Sequence, residues 1–76
     1  MTTRNELNLT GLRCPLPIVE LNRALKKMEP GEELQVTAND PAFPLDVEAW
    51  CRRTGQLLLS LQEQDGRYHA RLRKAP

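Results

Sequence analysis

The sequence predicts a two-layer α/β sandwich of the α+β class, with the order β-α-β-α-β-β and two helices on one face of a mixed four-stranded sheet. Strand-like alternation recurs at four places, helix-like spacing of apolar residues occurs at two, and turn-forming residues separate these segments. Each predicted strand has one apolar face, so both helices should lie on the same side of the sheet. A chain of 76 residues forms a single domain, residues 1–76.

The first half of the chain predicts a strand, a helix and a second strand. Residues 6–10 alternate and predict a short strand. Residues 15–28 predict an amphipathic helix, and Pro15 suits its first position, where no N–H is needed. Its apolar side chains lie three or four residues apart: Ile18, Leu21, Leu25 and Met28. Residues 33–38 alternate and predict a strand that runs parallel to the first if the two are neighbours.

The second half predicts a helix and a hairpin. The helix starts between Pro41 and Pro44 and ends at Gly55, a residue type that often terminates helices. Its apolar face comprises Val47, Trp50, Cys51 and Thr54. Two strands follow, and Asp65-Gly66 between them is a hairpin turn signal. Their apolar faces are Leu57, Leu59 and Leu61 in the first strand, and Tyr68, Ala70 and Leu72 in the second.

Charge and composition exclude several classes of function. The chain has eleven lysines and arginines and ten acidic residues, so its charge is nearly balanced. No bulk attraction to nucleic acid or to an anionic membrane is therefore indicated. No apolar run approaches a membrane span, and the polar N-terminus lacks the apolar core of a signal peptide, so we expect a cytoplasmic protein. Cys14 and Cys51 form no C-x-x-C pair, and with only His69 besides them no metal site is predicted. A disulfide between them is not expected in a cytosolic protein.

Cys14 is the candidate reactive residue. If Pro15 is the first helical residue, Cys14 is the N-cap, where the positive end of the helix dipole favours a thiolate and lowers the thiol pKa. Arg13 adds a neighbouring cation. Pro17 has no N–H, which leaves the amide of Leu16 as the donor to the sulfur. The alternative is a buried cysteine that fills space before the helix.

Residues 12–17, Leu-Arg-Cys-Pro-Leu-Pro, resemble the C-P-x-P signature of the TusA/SirA-like sulfur carriers. The similarity continues through residues 28–32, 38–42 and 51–55, and it covers residues 6–73. It implies the sandwich fold predicted above. It also implies that Cys14 accepts persulfide sulfur from a cysteine desulfurase or a rhodanese-like protein and passes it to an acceptor cysteine.

The resemblance therefore implies a relay carrier with sulfurtransferase-type chemistry rather than a stand-alone enzyme. The pathways of this family include thiolation of tRNA, maturation of the molybdenum cofactor and oxidation of sulfur, and the resemblance does not select among them. Its partners are proteins, and neither a metal nor a dissociable cofactor is needed. The segment Arg13, Pro15, Leu16 and Pro17 supports the thiol.

The remaining candidates each have a structural interpretation beside a functional one. Asp40, before Pro41, is either a turn or N-cap carboxylate or, as the resemblance suggests, part of a loop near the thiol that helps partners dock. Cys51 is expected to be a small core residue. Two basic groups are either solvated surface or docking sites for an acidic partner: Arg23, Lys26 and Lys27 on the first helix, and Arg67, His69, Arg71, Arg73 and Lys74 along the last strand.

Two other functions compete with the carrier. A small RNA-binding module of similar arrangement could use the basic last strand, although the net charge is only +1 and aromatic residues for stacking are few. A redox regulator could use Cys14 alone, and a sulfenic acid or mixed disulfide instead of a persulfide would identify it.

Overall fold

The structure, a computed structural model, describes residues 5–76 and confirms the predicted order of elements. The elements are β1 (Asn5–Asn8), α1 (Leu16–Lys26), β2 (Glu33–Ala38), α2 (Phe43–Thr54), β3 (Leu57–Gln64) and β4 (Arg67–Arg73). The sheet has the strand order β1-β2-β4-β3, in which β1 and β2 are parallel and the other pairs are antiparallel. The predicted mixed, four-stranded sheet is confirmed.

β1 ends earlier than the sequence predicted, because a turn follows it directly. The Asn8 side chain accepts a hydrogen bond from the Thr10 amide at 3.0 Å. The Leu12 amide donates to the Leu9 carbonyl at 3.2 Å, and Gly11 adopts a φ of +88° in this turn. Residues with side chains rarely adopt such a φ, so glycine suits this position. The strand therefore covers residues 5–8 rather than 6–10, although Leu9 still bonds β2 through Thr37 at 2.7 Å.

The two helices lie on the apolar face of the sheet and enclose the core with it. α1 contributes Leu21 and Leu25, and the expected face of α2 is buried at Val47, Trp50 and Cys51. The sheet supplies the opposite wall through the buried residues Leu34, Val36, Ala38, Ala70 and Leu72. α2 ends at Gly55 in the left-handed conformation, as predicted, whereas α1 covers residues 16–26 rather than 15–28.

β3 departs from the simple alternation that the sequence predicted. Its register against β4 shifts between Leu58 and Ser60, so that Leu59 is an extra residue in the strand. A bulge of this kind moves the following side chains to the opposite face. Leu58 and Leu61 therefore pack against the core, while Leu57 is 43% exposed. The expectation that Leu57, Leu59 and Leu61 form one apolar face was wrong.

Neither helix formed within residues 5–76 has the length and apolar character needed to cross a bilayer.

Candidate functional site

The parallel pairing of β1 and β2 places two loops at the same edge of the sheet. Both strands end at this edge, and each is followed by a loop and the first turn of a helix. The side-chain carbonyl of Asn39 accepts a hydrogen bond from the Gly11 amide at 2.9 Å and joins the two loops. Cys14 lies in the first loop and Asp40 in the second, so the topology brings the two segments together.

The two helices begin in the same way. The Leu16 amide donates to the Arg13 carbonyl at 2.8 Å, and the Phe43 amide donates to the Asp40 carbonyl at 3.0 Å. Proline then occupies the second helical position in both cases, as Pro17 in α1 and Pro44 in α2. Neither helix has a side chain that caps its N-terminus.

Cys14 is not the N-cap of α1, and this part of the sequence prediction was wrong. The Pro15 carbonyl accepts the first helical hydrogen bond, from Val19 at 3.1 Å, so Pro15 is the N-cap and the helix starts at Leu16. The Cys14–Pro15 peptide bond is cis. The Leu16 amide, which we expected to serve the sulfur, is bonded to Arg13 instead.

Acidic neighbours of Cys14 raise the pKa of its thiol. The pKa of the Cys14 thiol is raised above its ordinary value, chiefly because the Asp46 carboxylate is within hydrogen-bonding reach of the thiol. Partial desolvation and the negative charges of Asp46 and Asp40 act in the same direction, since all of them disfavour a thiolate. The expected lowering of the pKa by the helix N-terminus was therefore wrong.

Asp40 is buried, with only 6% of its surface exposed. Its Oδ2 atom has no hydrogen-bond partner among the described residues. A buried oxygen without a partner is rare in native proteins and often marks a functional site. The negative charge of the Asp40 carboxylate makes a contribution to the raised pKa of Cys14 that is smaller than that of Asp46. Its role in docking partners stays a prediction.

Sequence reasoning missed Asp46 and the contact made by Asn39. Asp46 lies in the first turn of α2, where an acidic residue ordinarily complements the helix dipole. One signal could have found it. If β1 and β2 are parallel neighbours, the first turn of α2 lies at the same sheet edge as Cys14, and charged residues in that turn become its neighbours.

Cys14 is exposed, and exposed apolar residues lie on the first turns of both helices. Leu16 and Val19 lie on the first turns of α1, and Leu45, which is 74% exposed, lies on the first turn of α2. We call these three residues the apolar rim. The exposure of Cys14 contradicts the alternative of a buried, space-filling cysteine.

Cys51 has a different environment. It is buried in α2, and burial raises the pKa of its thiol to about 11. Cys14 and Cys51 are both free thiols in this structure. The predicted core position of Cys51 is confirmed.

The basic residues are dispersed, and several are already paired. On α1, Arg23 pairs with Glu20 at 3.7 Å, and it lies with the exposed Lys26 and Lys27 at the end of the helix opposite to Cys14. On β4, Arg71 and Arg73 both pair with Glu33, at 3.7 and 2.8 Å.

The three other basic residues of the predicted docking strip, Arg67, His69 and Lys74, are not in these ion pairs. Lys74 donates to the Met28 carbonyl at 2.7 Å, the His69 ring lies 3.4 Å from the Thr37 hydroxyl, and Arg67 is exposed.

Within residues 5–76, no three histidine, cysteine or acidic side chains converge in a way that could hold a metal ion. The chemistry available at the site is therefore built on one exposed thiol and two carboxylates, which the fold brings together from the two loops and the start of α2.

Comparison with known proteins places this chain in a family. The profile of sulfurtransferase TusA matches residues 5–74. The chain is 37% identical to the sulfur carrier protein TusA of Allochromatium vinosum, over 92% of both chains. It is 52% identical over 60 residues to a protein of Neisseria meningitidis serogroup A that is provisionally named a sulfur carrier, covering 79% of this chain and 81% of that protein.

Two further similarities differ in extent. A longer protein of Aquifex aeolicus, also provisionally named a sulfur carrier, is 41% identical over 69 residues, which are 91% of this chain but only 35% of that protein. The crystal structure of a SirA-like protein from Desulfitobacterium hafniense superimposes with a TM-score of 0.80, covering 97% of this chain and all of the other at 17% identity, which supports the fold. The family match extends over nearly the whole chain, including the Cys-Pro-Leu-Pro segment at the start of α1, and the chain belongs to the TusA sulfurtransferase family.

Proposed function

We propose that this protein is a sulfur carrier that holds one sulfur atom on Cys14 as a persulfide. The observation that carries the proposal is the exposed Cys14 thiol in the Cys-Pro-Leu-Pro segment of a TusA-family chain. A carrier must present its sulfur to two proteins in turn, and an exposed thiol in a loop meets that requirement. Buried Cys51 does not.

The transfer is an exchange between sulfur atoms. The Cys14 thiolate attacks the terminal sulfur of a donor persulfide, a new S–S bond forms on Cys14, and the S–S bond of the donor breaks. The donor cysteine leaves as a thiolate and takes up a proton. Delivery is the same reaction with an acceptor cysteine as the nucleophile. No net oxidation or reduction occurs in either step.

The partners in this proposal are proteins. The donor is a cysteine desulfurase or a rhodanese-like protein, and the acceptor carries a reactive cysteine in tRNA thiolation, molybdenum-cofactor maturation or sulfur oxidation. We place the relay in the cytoplasm. The pairing of Arg71 and Arg73 with Glu33 reduces the positive charge that an RNA-binding module would use.

Sulfur loading tests the proposal directly. The protein is incubated with cysteine, a cysteine desulfurase and pyridoxal phosphate, or with a rhodanese and thiosulfate, and its intact mass is measured without reductant. The wild type and Cys51→Ala should each gain one sulfur atom that dithiothreitol removes. Cys14→Ser should gain none, because a serine hydroxyl does not form a persulfide, and the exposed position should tolerate the change.

Sulfur on Cys51, or no sulfur from either donor, contradicts the proposal. Circular dichroism of Cys14→Ser checks that loss of loading does not result from loss of the fold.

A further inference from the structure

Two carboxylates act on the Cys14 thiol, those of Asp46 and Asp40. Asp46 lies in the first turn of α2, at the sheet edge where the Gly11–Asn39 hydrogen bond of 2.9 Å joins the Cys14 loop to the Asp40 loop. From there its carboxylate is within hydrogen-bonding reach of the thiol, and the charge of Asp40 also acts on it. Within the part of the chain that the structure describes, neither carboxylate forms an ion pair with a lysine or arginine, whereas Glu20 and Glu33 do. The reactive end of the molecule thus carries negative charge around the group that must become a nucleophile.

This arrangement disfavours the reaction in the free protein. A persulfide is formed by thiolate attack, and carboxylates beside a thiol hold it in the protonated form. Arg13 is the nearest cation along the chain, yet the groups that act on the thiol are Asp46 and Asp40. Within residues 5–76, no cation is among the groups that act on the thiol.

The exposed residues near the start of both helices suggest that a partner protein supplies a cation. The apolar rim of Leu16, Val19 and Leu45 is exposed on the first turns of both helices. Exposed apolar side chains with polar groups at their rim are typical of surfaces that bind other proteins. A partner surface that matches it would carry apolar side chains and a lysine or arginine opposite Asp46.

We propose that Asp46 is a second functional residue of the Cys14 site, which holds the thiol proton in the free protein and pairs with a lysine or arginine of the docked donor protein to release the thiolate. The inference rests on the proposed function. Asp46 acts through Cys14 and is a positioning residue.

The step balances without any further reactant. When the donor cation pairs with Asp46, the carboxylate no longer holds the thiol proton, and Cys14 loses it. The Cys14 sulfur bonds to the terminal sulfur of the donor persulfide while the donor S–S bond breaks. The departing donor thiolate takes up the proton that Cys14 released.

The first test needs no donor protein. The rate of Cys14 alkylation by iodoacetamide is measured against pH in Cys51→Ala and in the same protein carrying Asp46→Asn or Glu48→Gln. Glu48 is exposed on the same helix, so its variant removes the same charge away from the thiol. Asp46→Asn should move the midpoint to lower pH and speed alkylation several-fold at pH 7, whereas Glu48→Gln should match its parent. An unchanged midpoint in Asp46→Asn overturns the proposal.

The second test compares two kinds of sulfur donor. With inorganic polysulfide, which carries no cation, Asp46→Asn should load several-fold faster than the wild type. With a desulfurase or rhodanese as donor, it should show a several-fold higher KM and a weaker dependence on ionic strength, since salt screens an exposed ion pair. An unchanged KM and salt dependence overturn the pairing with a donor cation.

The tests distinguish a wrong carrier function from a wrong role for Asp46. If the wild type takes sulfur from neither polysulfide nor a protein donor, the carrier function itself is wrong, while the alkylation profile still reports the contact between Asp46 and Cys14. If the wild type loads normally and Asp46→Asn behaves as the wild type in both tests, only the role of Asp46 is wrong.

Discussion

The Cys14 thiol is subject to two opposing influences, the N-terminus of α1 and the carboxylates of Asp40 and Asp46. A helix N-terminus attracts anions through its free amides. The first four residues of α1, counted from the N-cap, are residues 15–18. Pro15 and Pro17 have no N–H, and the N–H of Leu16 is already bonded to the Arg13 carbonyl. The carboxylates therefore dominate, and the pKa of Cys14 rises.

The two cysteines should differ strongly in reactivity. Cys14 is exposed, whereas Cys51 is buried and burial raises its pKa to about 11. Timed alkylation of the native protein at pH 8, followed by mass spectrometry of peptides, should label Cys14 first. Cys51 should react only after denaturation in urea. Equal labelling of the two in the native protein would contradict the core position of Cys51.

Cys51 should also make stability depend on alkaline pH. Its folded-state pKa is raised from 9.0 to about 11, so the folded protein retains a proton that the unfolded chain loses. The stabilisation is complete below pH 9 and is lost as pH rises towards 11. The free energy of unfolding in urea should therefore fall more steeply between pH 9 and 10.5 in the wild type than in Cys51→Ala. Parallel curves would exclude this contribution.

Among the elements, β3 is the strand in which the alternation of apolar residues did not predict which side chains face the core. Leu57, Leu58, Leu59 and Leu61 are all apolar, so the sequence is compatible with more than one register. The bulge between Leu58 and Ser60 decides which leucines face the core. Register is fixed by pairing with β4, which is a long-range contact that local alternation does not contain.

The end of α2 depends on the conformation of one residue. Gly55 has a φ of +82°, and a Cβ atom placed there would meet no other atom within 4 Å. Gly55→Ala should therefore cost only backbone strain, about 1–2 kcal/mol. For a domain of this size each kcal/mol lowers Tm by roughly 4–8 °C.

Thermal unfolding of three proteins checks this prediction. Gly55→Asn should lose less stability than Gly55→Ala, because asparagine enters the left-handed region more readily. An alanine variant as stable as the wild type would show that the helix end can relax into another conformation.

For the whole molecule, local patterns were sufficient to predict the element order, and they indicated Cys14 as the candidate reactive residue. The alternation of residues 33–38 and the Gly55 helix end both depend on neighbouring residues, and the structure confirms them. The environment of Cys14 was not predictable in this way. It depends on Asn39 and Asp46, which are distant in sequence and become neighbours only because β1 and β2 pair in parallel.

The hydrogen bond between Asn39 and Gly11 should therefore affect the pKa of the Cys14 thiol as well as the stability of the fold. Asn39→Ala removes the hydrogen bond to the Gly11 amide and should cost about 0.5–1.5 kcal/mol. Because the bond holds the Cys14 loop beside the Asp40 loop, its loss should also bring the thiol pKa closer to that of an ordinary cysteine. Urea unfolding and the pH profile of alkylation measure the two effects.

Asn5→Ala is the matched control. The Asn5 side chain donates to the Glu33 carbonyl at 3.3 Å and joins the same two strands at their other end. Its removal should lower stability by a similar amount and leave the alkylation profile of Cys14 unchanged. If both variants shift the profile equally, the thiol responds to general loosening of the fold, and the Asn39–Gly11 bond has no specific role in placing Cys14 beside its carboxylates.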